Sequence, residues 1–207
     1  VSIAESRGSD HGDLADRILD ATQRLVFRTG ARKLSLSDVA NLAGVSRPTI
    51  YRYFASKDGL VDALGKRERR RFNAAMDNAM SGVVGVARLE AAVDVVASFV
   101  EAQPPGHLLD LEPDFAHGQM AAALPMLADG LVAVLQLCAS EGAITTALAP
   151  RDLAGAIART ALSHYIFPDT DRAAARREIR AAAGLSGRAW VSARTVAGRA
   201  ASDSGNS

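Results

Sequence analysis

Two short helical patterns meet at Gly44-Val45-Ser46, and that junction constrains the fold more than any other feature of the chain. The stretch runs "SLSDVANLAGVSRPTIYRYF", Ser35 to Phe54. Ser35 and Asp38 give an S-x-x-D start, close to a capping box, for a short helix ending at Ala43. Ala40 is small where two helices must cross closely. Gly44 has no Cβ to clash when the backbone turns left-handed. Val45 fills the space beneath the turn. Ser46 is placed to accept a hydrogen bond from the N–H of Thr49, and Pro48 sits early in the second helix, where an N–H has no use. Together these features specify a helix-turn-helix.

On a helical wheel at about 100° per residue, Ile50 and Phe54 share the face that points inward with Val45. The opposite face carries Pro48, Thr49, Tyr51 and Arg52, with Arg47 and Tyr53 on its flanks. Such a face suits a DNA major groove: a guanidinium fork matches guanine edges, and Thr or Pro can meet a thymine methyl. Tyr hydroxyls and Lys commonly hold phosphates, and Lys57 opens the next helix, whose free N–H groups attract the same anion.

Helical periodicity also dominates the rest of the chain, and no segment alternates long enough to read as a strand. A first helix is predicted from Asp13 to Thr29 with Gly30 as its C-cap, and a fourth from Ser56 through Leu60 and Leu64 into "KRERRRF". Arg88–Gln103 forms a fifth, stopped by "PPGH", and a short sixth lies between Leu108 and Met120. The seventh, Leu124–Ser140, has the cleanest stripe: Leu124, Leu127, Leu131, Val134, Leu135 and Cys138. An eighth runs from Asp152 to Phe167, and a ninth, Ala-rich, to Ala183. The fold class is therefore all-α: a three-helix N-terminal head joined to a larger helical bundle, about nine helices in all. The expected division is residues 1–55 for the head, 56–184 for the bundle and 185–207 for a flexible tail.

Charge follows the same division. Residues 1–72 hold 14 Lys+Arg against 9 Asp+Glu, residues 73–167 hold 3 against 10, and residues 168–207 hold 7 against 4. A basic head attracts polyanions and an acidic middle repels them. "KRERRR", Lys66 to Arg71, starts roughly 13 Å beyond Lys57 along a helix, too far for the groove, so it reads as solvated surface. The single cysteine, Cys138, excludes an internal disulfide framework and fits a reducing compartment. No charge-free apolar run reaches the ~18–20 residues of a bilayer span. Residues 1–12 lack the apolar core of a signal peptide, and a soluble, cytoplasmic protein is expected.

The segment "VANLAGVSRPTIYRYFASKDGL", Val39 to Leu60, closely resembles the tetracycline-repressor (TetR) family of bacterial regulators, filling its pattern at Gly44, Val45, Ser46, Thr49, Tyr51, Tyr53, Phe54, Lys57 and Leu60. The resemblance covers residues 12–65. It implies an all-helical homodimer with three N-terminal helices on a double-stranded operator and a ligand-sensing C-terminal bundle. It assigns base-facing roles to Arg47, Pro48 and Thr49, and phosphate roles to Tyr51, Tyr53 and Lys57. Ser35, Ser37, Ser46 and Arg52 complete the DNA-facing set. Arg52 is a bulky departure at a variable place and is expected to set operator preference.

In the bundle, Phe99, Leu109, Phe115, Met120, Met126, Leu135, Cys138 and Tyr165 are candidate liners of a cavity for a small, largely apolar effector. Each is also a natural core residue. Arg159, in an otherwise apolar helix, reads either as a buried ion pair with Glu112 or Asp114 or as a clamp for a ligand carboxylate. His107 and His117 lack metal-ligand spacing, so neither metal nor cofactor is expected. No catalytic Ser-His-acid frame or phosphate loop is present, and the chain is not read as an enzyme. The small residues Ala154, Ala158, Ala161, Ala173 and Ala174 suit a close dimer contact through the last two helices. The competing reading is a helical small-molecule-binding protein or enzyme with a degenerate head, and the intact reading face argues against it.

Overall fold

A computed structural model describes residues 3–102, 107–168 and 171–185; the tail predicted from residue 185 lies, but for its first residue, outside them. Among the described residues there are nine helices and no strand: α1 (Ile3–Thr29), α2 (Leu36–Ala43), α3 (Arg47–Tyr53), α4 (Lys57–Met80), α5 (Val86–Glu101), α6 (His107–Leu111), α7 (Pro113–Ser140), α8 (Pro150–Ile166) and α9 (Arg172–Ala182). The chain divides into two compact units: Val1–Arg70 with His107–His117, and Arg71–Gly106 with Gly118–Ser207.

The first unit is built around Ile18, Leu25, Val39, Ile50 and Leu60, all at most 5% exposed. Leu108 and Ala116 are buried in the same cluster, so α6 and the first turn of α7 pack with the N-terminal helices. Helix α1 begins well before Asp13; residues 3–12 carry no apolar period from which a helix can be read. Arg67 also departs from expectation. It belongs to the run read as solvated surface, yet it is 2% exposed. Its guanidinium donates to the Asp16 carbonyl (3.1 Å), Asp20 (2.8 Å), Gln23 (3.1 Å) and Glu68 (3.3 Å), tying α4 to α1. It falls seven residues after Leu60, which puts it on α4's inward face.

The second unit buries the stripe of α7, with Leu127, Leu131, Leu135 and Cys138 fully enclosed beside Val93, Val96 and Ile157. Helix α7 starts at Pro113 rather than Leu124 and carries Pro125 inside it. Proline removes one backbone bond but does not end a helix whose flanks pack well. Helix α7 is long and apolar enough to match a bilayer span by composition, but its stripe belongs to this core.

Ala154, Ala158 and Ala161 are fully buried, and Ala174 is 4% exposed. The expectation that they face a second subunit is corrected. At spacings of four and three, Ala154, Ala158 and Ala161 share one face of α8 with Leu153 and Ile157, and that face packs against α5 and α9. Only Ala173 of the five is exposed. Helix α9 is further fixed by charge: Arg176 bonds Glu101 (2.8 Å) and Asp94 (3.2 Å), and Arg180 bonds Asp94 (3.2 Å) and Glu90 (3.3 Å). These bridges engage three of the ten acidic residues between 73 and 167.

Candidate nucleic-acid interface

Helix α3 is short, and its N-terminus is fixed by chemistry in the sequence. Ser46 is extended (φ −76°, ψ 152°), and its Oγ accepts from the Thr49 N–H at 3.2 Å. The Ser46 and Thr49 hydroxyls also bond each other at 2.7 Å. Before the turn, Ser35 caps α2 by accepting from the N–H groups of Ser37 (3.1 Å) and Asp38 (3.3 Å). Gly44 is left-handed (φ 66°, ψ 40°), closing the C-terminus of α2 onto the Ala40 and Asn41 carbonyls. Arg17 donates to the Ala43 carbonyl at 2.8 Å and braces the same turn from α1.

Ile50 is completely buried, while Val45, Tyr53 and Phe54 pack partly against the same cluster. The buried face of α3 fixes its rotation, and the opposite face is open. Arg47, Pro48, Tyr51 and Arg52 are exposed, Tyr51 to 56%. At positions i, i+1, i+4 and i+5 they form one continuous strip. The Arg52 guanidinium lies 5.4 Å from the Tyr53 ring centroid, a cation–π contact that holds it at the edge of that strip. Thr49 is half-buried and its hydroxyl is engaged with Ser46. The Tyr53 hydroxyl is withdrawn from solvent, so the phosphate role expected for it is not presented in this conformation. Lys57 stands at the start of α4, with its Nζ donating to the Arg32 carbonyl at 3.1 Å.

The candidate effector residues do not form one set. Phe99, Met126, Leu135, Cys138 and Tyr165 belong to the bundle core, with Phe99 edge-on to Phe72 at 5.3 Å. Burial pushes the Tyr165 hydroxyl and the Cys138 thiol up from their ordinary pKa values. Leu109 and Phe115 pack instead with the N-terminal cluster. Met120 is half-buried on α7. Arg159, expected to be buried, is exposed; it folds back over Gly155 in a shallow cleft of about 520 Å³ shared with Arg151, Asp152, Leu124 and Ala128. Glu112, expected as its partner, gives its carboxylate to the Arg32 N–H at 2.6 Å. Among the described residues no three His, Cys, Asp or Glu side chains come together as a metal site.

Sequence reasoning missed Arg67 and Glu112. The spacing from Leu60 could have revealed the first; nothing local reveals the second, whose partner lies eighty residues away.

A capped, rotationally fixed helix with a basic and aromatic outer strip is the architecture of a groove-reading head, and residues 18–64 match the family model described as "Bacterial regulatory proteins, tetR family". That segment carries the tetR-family helix-turn-helix. Among similar proteins, an uncharacterized HTH-type transcriptional regulator of Mycobacterium tuberculosis is 46% identical over 57 residues, 28% of each chain. The HTH-type transcriptional activator FasR of Mycolicibacterium smegmatis is 30% identical over 115 residues, 52% of this chain and 49% of that one. These matches therefore span half or less of the relatives' own lengths. Likeness in fold extends over more of the chain. The fatty acid degradation regulator FadR of Bacillus halodurans superposes with a TM-score of 0.63 at 20% identity, over 81% of this chain and 92% of that one. Reduced NemR of E. coli gives 0.66 at 16% identity, over 86% and 98%.

Proposed function

We propose that this chain is a soluble DNA-binding transcriptional regulator that lays α3 in the major groove, acts as a homodimer on a palindromic operator, and releases the DNA when its bundle takes up a small, largely apolar effector. The observation that carries this reading is the outward strip Arg47, Pro48, Tyr51 and Arg52 on a helix anchored by a wholly buried Ile50. One such helix reads only a few base pairs. Two copies about a two-fold axis, with recognition helices ~34–36 Å apart, read a full site across one DNA turn. Effector binding shifts the equilibrium only to the extent that it favours the conformation unable to dock both heads. The reading draws support from the apolar character of the bundle core, to which Phe99, Met126, Leu135, Cys138 and Tyr165 belong.

Footprinting the protein on the DNA upstream of its own coding region tests the reading. A protected palindrome is expected. Arg47→Ala should weaken binding to it by about 1–3 kcal/mol, the value of one bidentate base contact, with no change in fold. Equal binding by the variant, or protection indifferent to sequence, would refute the assignment.

A further inference from the structure

Lys57 and Glu112 both hold the backbone of the same residue. The Glu112 carboxylate accepts from the Arg32 N–H at 2.6 Å, and the Arg32 carbonyl accepts from Lys57 Nζ at 3.1 Å. The turn between α1 and α2 is shaped for this. Gly30 is left-handed (φ +85°), and a Cβ there would lie 2.7 Å from Cδ of Glu112. The carboxylate thus occupies space that only glycine leaves free. All four residues belong to the first compact unit.

We propose that Glu112 is a positioning residue for DNA contact: by fixing the Arg32 backbone it holds the Lys57 ammonium in place to receive a phosphate. The inference rests on the DNA-binding reading above. A lysine ammonium has three donors; one is spent on the Arg32 carbonyl, and the others remain for an anion. A free lysine side chain loses about 2 kcal/mol of rotamer entropy on ordering, and a lysine already held loses less. Glu112 contributes no attraction of its own to a polyanion. Its effect on affinity has to pass through Arg32 and Lys57, which separates positioning from simple charge.

The test uses the full chain and a fluorescent mixed-sequence duplex, with anisotropy titrations over a salt series. Lys57→Ala should lower the slope of log K against log salt by about 0.9, one phosphate. Glu112→Ala should weaken binding about fivefold, although it removes a negative charge, and should add almost nothing in the Lys57→Ala background. Glu112→Gln, whose amide oxygen still accepts, should bind like wild type. Glu112→Asp, one methylene short, should resemble Glu112→Ala and keeps the charge should the alanine variant unfold. Equal weakening by Glu112→Ala with and without Lys57, or unchanged or tighter binding, overturns this inference alone. A wild-type chain without salt-dependent duplex binding overturns the DNA-binding reading along with it.

Discussion

Truncating Arg67 should loosen α1 more than any other substitution in the basic run around it. The side chain is 2% exposed and makes four hydrogen bonds, three of them to α1. Alanine removes two buried methylenes, worth about 1.6 kcal/mol at ~0.8 kcal/mol each. The polar part needs discounting. The Asp20 and Asp16 side chains are 44% and 59% exposed, so water takes over much of what they lose. That leaves roughly 1–2 kcal/mol for the polar contacts, and about 3 kcal/mol in total. Because the chain has two compact units, one denaturation midpoint is a poor measure. Amide hydrogen exchange within α1 is the better assay. At 1.4 kcal/mol per decade, the protected amides of Asp13–Thr29 should exchange on the order of 100-fold faster. Arg67→Met keeps the apolar stem and should lose about half as much free energy. A change below about 0.5 kcal/mol in Arg67→Ala, typical of surface substitutions, would refute the reasoning. So would a methionine variant as damaging as the alanine one.

Three further outcomes follow from the geometry. Ser46→Ala, which removes the cap of α3, should destabilise the head by about 1 kcal/mol and weaken DNA binding without changing sequence preference, as measured by exchange and anisotropy. Ala158→Leu should cost about 1–3 kcal/mol by overpacking a fully buried site, as read by amide hydrogen exchange in α8; a stable variant altered only in subunit association would restore the interface role first expected there. The Glu141 carboxyl is held below its ordinary pKa by a hydrogen bond from Arg88 (2.9 Å). A depressed folded-state value means that the pair stabilises the fold above the unfolded pKa of about 4.5, and that this is lost as pH falls through the lower folded value. Arg88→Ala should flatten that part of the stability–pH profile while leaving the rest of its shape unchanged.

The head was legible because its determinants are local. Ser46 and Thr49, Gly44 and Ala40, Ile50 and Val45 all act within a few residues, and each residue type has a single physical reason for its place. The bundle was legible as helices but less so in what its helices face. An alanine is small whether its neighbour belongs to the same chain or another, so Ala154, Ala158 and Ala161 did not reveal their partner. Arg159 looked buried because the residues around it are apolar, but it sits on the opposite face of α8 from Leu153 and Ile157. In the basic run, helical phase and composition disagreed at Arg67, and phase won. The bond from Arg32 to Glu112 joins segments with no common pattern, and only the folded chain brings them together.

The presence of Leu108 and Ala116 in the core of the N-terminal unit bears on protein engineering. A chimera made by cutting after Arg70 and grafting those residues onto another sensor would leave two vacancies beneath α1, together with an orphaned loop at Arg32. A transplantable head has to carry residues 107–117 with it, or acquire substitutes of equal volume from its new host.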